Sequence, residues 1–506
     1  MYKDGGIKMT ITFLREIDHN NIDSTNLKID NKVLHGQYFT PIQIGKFMSS
    51  MFKYNNKKNI TILDPGSGTG NLTLAFISKI CEWSKKPDNI KVFLYEVDNN
   101  LIPTLKENMS YAKQFCFSKG IILDYTIKNE DFIISGVEQI QSNNIEIVDY
   151  IITNPPYKKM ATNSNYKKKL LSVNIDVPNY YAAFIALACK LLKKSGQLVF
   201  IVPRSFCNGK YFEKFRINLV KNYKLEHIHL FENREGLFNE NILQETIIIS
   251  LTNQKPNPSN QVNISYSKDA SFEDYSLENK LLENIVFPND DEKLIRIVNN
   301  TIHETTETIN SLPNSLDDLG IQVSTGPIVD FREDGTISEK PTLFSLPMIY
   351  SENISKGIVT WPITGKKPGF IIMNEKKKKN LRPPGIYVLV KRMTSKEESR
   401  RISAGIFNSL EVSPNDYVGF DNKINYYHIN KHGFPTLELA AGLTTFLNST
   451  LVDQYFRTFS GSTQVNVSDL KKIKYPSLQQ LEHLGRITLD NRLDQYDVNK
   501  IITEFL

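Results

Sequence analysis

Apolar positions in the first half of the chain come in short continuous runs. Ile60–Leu63, Val92–Val97, Ile121–Ile127, Ile147–Thr153 and the stretch from Gly196 to Ser205 are such runs. Each is followed by a polar or glycine-rich break. The segments between them carry apolar residues at helical spacing, as in Leu72, Leu74, Ala75, Phe76, Ile77 and Ile80. Residues 179–194 and 211–222 read as helices in the same way. Runs without polar alternation suit strands buried on both faces, and strand–helix alternation suits a parallel sheet covered on both sides. With further strands at Glu226–Phe231 and Gln244–Leu251, the pattern predicts an α/β, Rossmann-like domain around a mainly parallel sheet of about seven strands.

The pattern then breaks. Residues 253–261, Asn-Gln-Lys-Pro-Asn-Pro-Ser-Asn-Gln, read as a linker. Beyond them short strands, Gly/Pro turns and basic clusters replace the alternation, with one long helix expected over 437–459, a turn over 463–470 and a closing helix over 480–505. The expected organisation is an N-terminal extension (1–30), a first domain (31–252), a linker (253–284) and a second, mixed α/β domain with C-terminal helices (285–506).

The breaks after the strands carry the chemistry. The first strand runs into Asp64-Pro65-Gly66-Ser67-Gly68-Thr69-Gly70. A glycine-rich turn between strand and helix lets a ligand approach the backbone at the helix N-terminus. It lacks Gly-Lys-Ser/Thr and the strict GxGxxG spacing, so it is neither a P-loop nor the dinucleotide fingerprint. The second strand ends in Glu96-Val97-Asp98 and the third leads to Asp131-Phe132. Alone, each acid is more often a surface carboxylate or a helix cap. Recurring at successive strand ends they line the edge where such sheets bind ligands, and an acid after the second strand typically holds ribose hydroxyls.

The fourth strand ends in Asn154-Pro155-Pro156-Tyr157. The prolines fix the backbone and have no N–H, so the preceding carbonyls stand as acceptors. Asn154 adds a side-chain carbonyl and Tyr157 a flat ring. Two acceptors and a stacking face suit a planar group bearing –NH2; a proline-rich turn after a buried strand is the plain alternative.

Composition narrows the setting. The chain has 506 residues, 23% charged and 40% hydrophobic, so it is globular and long enough for two or three domains. A net charge of +6 is compatible with a nucleic-acid partner without requiring one. Cys81, Cys116, Cys189 and Cys207 are scattered, which argues against a zinc site or disulfide framework and for a reducing cytosol. The N-terminus does not read as a signal peptide, and no apolar run reaches the roughly 20 residues of a membrane span. A cytoplasmic monomer without a metal is expected.

Gly36-Gln37-Tyr38-Phe39-Thr40-Pro41 precedes the first strand. This segment, then Asp64-Pro65-x-x-Gly68-x-Gly70, Glu96, Asp131-Phe132 and Asn154-Pro155-Pro156-Tyr157, resembles in order the adenine-N6 DNA methyltransferases of type II restriction–modification systems, in their gamma motif arrangement. Val390-Lys391-Arg392, Glu397–Arg401 and Gly461–Leu470 resemble the BsuBI/PstI-type modification methylases in particular. Gly66 departs from the Ala or Cys frequent in that family.

The resemblance implies S-adenosylmethionine as cofactor. Thr40 and Pro41 would close over its methionine end, and Asp64, Gly66 and Gly68 would line that pocket. Glu96 would hold the ribose, Val97 would pack on the adenine, and Asp131 would accept from the adenine amine with Phe132 beside it. Asn154 and Pro155 would take the target amine, with Pro156 and Tyr157 completing the corner. Phe238, with Phe231 as alternative, would stack on the other side of the base. The region after the linker would be the target-recognition domain, with Lys391 and Arg392 on double-stranded DNA. A cognate restriction endonuclease would be the functional partner.

Other readings share the Asn-Pro-Pro-Tyr corner. Methyltransferases of a protein glutamine amide or an RNA base amine are usually much shorter. A bifunctional restriction–methylation enzyme needs a nuclease domain, for which the acids and lysine at 290–293 give no convincing context. A DNA-binding module without catalysis would not need the full motif set.

Overall fold

The computed structural model describes residues 40–143, 147–231, 245–297, 300–333, 335–363, 367–373, 378–395, 398–412, 416–460, 463–489 and 495–505. The chain divides into two compact units at Arg296/Ile297.

The first unit alternates α1 (Ile42–Ser50), β1 (Asn59–Asp64), α2 (Asn71–Cys81), β2 (Asn89–Tyr95), α3 (Ile102–Ser118), β3 (Ile122–Lys128), α4 (Phe132–Gln141), β4 (Val148–Thr153), α5 (Asn165–Ser172), α6 (Tyr180–Leu191), β5 (Leu192–Pro203), α7 (Glu213–Asn222), β6 (Lys224–Phe231) and β7 (Thr246–Thr252). Strands β8 (Gln261–Ser267) and β9 (Ser276–Leu281) follow. Among the described residues the sheet has nine strands, in the order β3-β2-β1-β4-β5-β7-β6-β8-β9. β1 to β5 are mutually parallel, and β7 runs antiparallel between β5 and β6.

Two expectations are corrected here. The sheet exceeds the expected seven strands, and the extra two lie inside the segment 253–284 read as a linker. Only the Pro/Asn/Ser stretch at its start is irregular. Val262 and Ile264 then turn into the core on a strand that pairs in parallel with β6. Buried alternation of this kind is strand chemistry, not linker chemistry.

Alternate residues serve opposite faces. Ile60, Ile62, Val92, Leu94, Tyr150 and Ile152 join α1, α2 and α3 in one core, where Phe52 lies on Phe76 with ring centroids 4.1 Å apart. Tyr95 points the other way, onto Phe132 of α4, which meets Phe184 of α6. Each fully buried Leu, Ile, Val or Phe contributes about 1.5–3 kcal/mol, so these faces fix the register that carries the strand ends. The helices after the site have side-chain caps. Asp131, Ser164 and Asn179 accept from backbone N–H groups at the starts of α4, α5 and α6. All four cysteines are buried and outside any disulfide, and the described residues contain no group of His, Cys, Asp and Glu arranged to hold a metal.

On β6, His227 and His229 share Ser265 of β8. Burial lowers them to about 4 and about 3 respectively, with Lys53 adding to the first and His227 to the second. Their stabilisation is present above the ordinary histidine value and is lost as pH falls through those lowered ones.

The second unit contains β10 (Gln322–Thr325), β11 (Ile337–Ser338), β12 (Ser345–Ile349), β13 (Ile354–Ser355), β14 (Gly357–Val359), β15 (Phe370–Ile372), β16 (Ile386–Lys391), β17 (Ala404–Asn408), β18 (Gly419–Phe420) and β19 (Ile424–His428). Among the described residues they form a six-stranded sheet, β10-β19-β16-β17-β14-β13, and a four-stranded one, β11-β15-β12-β18. Its central strands are β16, β17 and β19. The helix expected over 437–459 is two helices. Residues Leu437–Leu447 and Thr450–Phe459 are separated at Asn448–Ser449, where Ser449 caps the second. Of the closing helix expected over 480–505, the described residues place Leu478–Leu489 and Gln495–Phe505 in helix. No helix among the described residues is long and apolar enough to cross a membrane.

Candidate active site

The strand order creates the site. From β1 the chain moves outward to β2 and β3, then returns to place β4 on the other side of β1. The carboxyl ends of β1 and β4 flank this switch point, where open α/β sheets bind ligands. Register puts Leu63 beside Ile151, so the Asp64 turn and the Asn154 corner emerge side by side.

The glycine turn is built to stay open. Gly68 and Gly70 have φ of 55° and 90°, left-handed values that favour glycine. A Cβ on Gly70 would also come within 2.9 Å of Leu105. The Phe184 ring edges Gly66, at 3.5 Å from where its Cβ would be. Asn108 of α3 donates to the Thr69 carbonyl at 2.8 Å and braces the turn from behind.

Asp64 is fully buried and accepts from Thr73 Oγ1 at 2.8 Å through Oδ2. Its Oδ1 is buried with no hydrogen-bond partner. Burial pushes this carboxyl up to about 7, against the pull of Thr73 and the Gly66 N–H and with a small push from Glu96. A buried acceptor without a donor is costly unless a ligand supplies one. Glu96 is clamped between two backbone donors, Gly68 N to Oε2 and Asp98 N to Oε1, each at 2.8 Å. Burial raises its pKa while those two N–H groups pull it back. Next to it Val97 leaves 43% of its apolar side chain exposed.

Asp131 caps α4, and its second oxygen accepts from Tyr166 Oη at 2.8 Å. Phe132 is 1% exposed between Tyr95 and Phe184. It therefore shapes the wall from behind, where a place beside the ligand was expected.

Thr40 ties the corner to the turn. Asn154 Nδ2 donates to Thr40 Oγ1 at 3.0 Å, and Asn71 Nδ2 at the start of α2 donates to the Thr40 carbonyl at 3.3 Å. Pro41 follows as the residue before α1. The Asn154 amide is thus oriented by its nitrogen, with its carbonyl as the acceptor end. Pro155 is buried and Pro156 half-buried. Tyr157 Oη donates to the Ile201 carbonyl at 3.2 Å, and its ring meets Tyr181 edge-on.

Thr40, Asp64, Gly66, Gly68, Glu96 and Asn154 thus meet around the ends of β1, β2 and β4, with Asp131 at the neighbouring end of β3. Phe238 and Gly36–Phe39 lie outside the described residues. Phe231 is 4% exposed within the core, so it is not a stacking ring. Tyr166 and Asn71 were missed by sequence reasoning. Neither belongs to a motif, and only the fold brings them to the acids and to Thr40.

In the second unit, Lys391 ends β16 and Arg392 follows, both half-buried. Arg392 Nη1 donates to the Asn422 carbonyl at 2.9 Å and Nη2 to Gln464 Oε1 at 3.4 Å. Its Nε is buried with no hydrogen-bond partner. Arg392 thereby braces the 464–465 segment, whose Val465 N donates to its carbonyl. Arg401, which makes a basic pair with Arg400 in the sequence, is 0% exposed and packs over Phe456. It is a core residue, not a solvated one.

A family model described as Eco57I restriction-modification methylase matches residues 46–238. The chain is 38% identical to the type II methyltransferase M.BsuBI of Bacillus subtilis over 96% of this chain and 98% of that one. It is 37% identical to the type II methyltransferase M.PstI of Providencia stuartii over 99% and 97%. Among solved structures, the type IIL restriction-modification enzyme MmeI, in complex with DNA, superposes with a TM-score of 0.50 at 13% identity. That match covers 99% of this chain and 72% of the other, and it bears on the fold alone.

Proposed function

The chain belongs to the type II methyltransferases of restriction–modification systems, and we propose that it moves a methyl group from S-adenosylmethionine to N6 of an adenine flipped out of double-stranded DNA. In the cell this would protect host DNA from a cognate restriction endonuclease. The observation that carries the reading is the Asn154 corner standing at the switch point beside Asp64, within reach of Thr40.

The residues present fit the cofactor. Asp64 Oδ1, buried and lacking a donor, would take its ammonium group, and Thr40 and Pro41 would close that end. The glycine turn would let the methionine portion lie on the backbone. Glu96 would accept from the ribose hydroxyls through lone pairs its two N–H clamps leave over. Val97 would cover the adenine ring and Asp131 would accept from its amine. When bound, the cofactor supplies an electrophilic methyl on a sulfonium.

The chain supplies alignment. The N6 lone pair of adenine is delocalised into the ring, so the amine is a poor nucleophile. The Asn154 carbonyl and the Pro155 backbone carbonyl would each accept one N–H and draw the nitrogen toward tetrahedral geometry. Its lone pair then projects out of the ring plane. Two fixed acceptors also stabilise the positive charge that develops there. The proton leaves afterwards, so no strong base is needed first. Flipping the base costs a few kcal/mol, and stacking on Tyr157 offsets about 1–3 kcal/mol of it. Expression in a methylation-free host with single-molecule sequencing tests the whole reading. N6-methyladenine in one short sequence context is the expected result; unmodified DNA, or methylcytosine instead, would overturn it.

Asp64 predicts a pH dependence. A cofactor ammonium favours the ionised carboxylate, and below about 7 binding must first expel a proton. Affinity for S-adenosylhomocysteine should therefore climb by up to about tenfold per pH unit below that point and level off above it. Asp64→Asn should bind weakly with that slope removed. Titration calorimetry from about pH 5.5 to 7.5 checks this, and a flat wild-type profile would take Asp64 out of the ammonium pocket.

Lys391 and Arg392 separate on the second unit's geometry. Lys391→Ala should weaken duplex binding evenly across sequences and reduce the salt slope by about 1, as loss of a phosphate contact does. Arg392→Ala should relax sequence preference as well, because the 464–465 segment loses its brace. Both should leave S-adenosylhomocysteine binding unchanged. Fluorescence anisotropy on cognate and scrambled duplexes reads the difference, and wild-type affinities and slopes would exclude these residues from the DNA face.

A further inference from the structure

The acid at the end of β3 holds three donors. Asp131 Oδ1 accepts from Ile133 N at 2.8 Å and Ile134 N at 3.2 Å, while Oδ2 accepts from Tyr166 Oη at 2.8 Å. Tyr166 sits in the first turn of α5, and its ring meets the Tyr180 ring edge-on with centroids 5.3 Å apart. Tyr180 N donates to the Lys158 carbonyl at 3.1 Å, one residue past the Asn154–Tyr157 corner. A hydroxyl on a ring held edge-on by its neighbour, on a capped helix, is therefore aimed at one carboxylate oxygen.

We propose that Tyr166 is a positioning residue that makes the Asp131 end of the pocket select a purine bearing an amine over one bearing a carbonyl at the same position. The inference rests on the reading above that Asp131 accepts from the cofactor's adenine amine. All three contacts are donations into the carboxylate, which serves here as an acceptor only. Oδ2 has a second lone pair for one more donor. An –NH2 fits there; a purine carbonyl meets negative charge and is rejected.

Without the hydroxyl, Oδ2 loses the donor that fixes its direction. A carboxylate free to turn aligns poorly with the amine and can swing away from a carbonyl, so discrimination falls. Tyr166→Phe removes this one bond and keeps the ring on Tyr180. Asp131→Asn keeps a good helix cap and places an amide –NH2 where Oδ2 stood.

The test is calorimetric binding of S-adenosylhomocysteine against S-inosylhomocysteine to the full chain, with steady-state kinetics on S-adenosylmethionine. Wild type should prefer the adenosyl ligand by about 100-fold or more, as sites built around a required hydrogen bond do. Tyr166→Phe should cut that ratio at least about fivefold and raise KM more than it lowers kcat. Asp131→Asn should turn the preference toward the inosyl ligand. If Asp131→Asn shifts the ratio and Tyr166→Phe does not, the role of Tyr166 is overturned and the pocket reading stands. If neither shifts it, both fall. An equal loss of both ligands in Tyr166→Phe marks a packing residue and also overturns the proposal.

Discussion

Asn154→Ala should lose methyl transfer by at least about 10³-fold in kcat, the scale for removing one preorganised group that stabilises transition-state charge. S-adenosylhomocysteine affinity should stay within about threefold of wild type, since the acids proposed to hold the cofactor stand at the ends of β1, β2 and β3 and Thr40 keeps its bond from Asn71. The reasoning is local. Asn154 Nδ2 is bonded to Thr40 Oγ1, so the amide cannot turn without losing that bond, and its carbonyl is a fixed acceptor. Alanine removes the acceptor and releases Thr40 together. Asn154→Asp separates the two effects. A carboxylate still accepts from the amine, and the Thr40 hydroxyl can reverse and donate to it, so partial activity is expected. Radiolabelled methyl transfer to a duplex with calorimetry on the same preparations checks both variants. Full activity in Asn154→Ala would sink the mechanism, and an alanine variant that no longer binds cofactor would move Asn154 into the cofactor pocket.

The site was legible where chemistry is local in sequence. Asp64 to Gly70 and Asn154 to Tyr157 are contiguous, and their residue types are constrained by turn geometry and by donor or acceptor need. What could not be read depends on partners far along the chain. Asp131 reads as either a helix cap or a ligand acceptor; in the structure one oxygen caps α4, and Tyr166, 35 residues on, holds the other. Arg401 reads as half of a basic pair, yet Asp453 Oδ1 accepts from its backbone N–H and Thr394 from its Nε, and the side chain never reaches solvent.

The fold divides in the same way. The parallel strands β1, β2, β4 and β5 announce themselves because burial on both faces leaves few polar positions at their centres. β8 does not, because Gln261, Asn263 and Ser265 alternate with its apolar residues behind a Pro/Asn-rich turn. Ser265 is buried all the same, since its hydroxyl serves His227 and His229. That requirement is invisible until β6 is known to lie alongside. The break at 448–449 was hidden for a related reason. The apolar pattern carries on through it, and only the Ser449 cap and the Asn448 bonds to Ala404 mark the turn.

Gly442→Ala should cost the second unit about 3 kcal/mol or more, at the top of the range for overpacking. Gly442 on helix Leu437–Leu447 and Gly485 on helix Leu478–Leu489 face each other. A Cβ on Gly442 would overlap the Leu481 carbonyl oxygen and lie 2.6 Å from its carbon and 3.0 Å from Gly485 N. A Cβ on Gly485 would overlap the Glu438 carbonyl in return. The obstacle is helical backbone on both sides, which cannot rotate away as a side chain can. The helices must separate, and Leu443, Phe446, Leu447, Leu481 and Leu484, all buried, lose packing with them. Gly136→Ala is the control. Its Cβ would meet only Leu187 at 3.6 Å, so the ordinary helix preference for alanine should leave stability unchanged or raise it by about 0.5–1 kcal/mol. Denaturant unfolding should show one lowered transition in Gly442→Ala, with duplex affinity reduced and S-adenosylhomocysteine binding retained. Unfolding of Gly442→Ala at the wild-type midpoint would mean that the two helices do not cross this closely in solution.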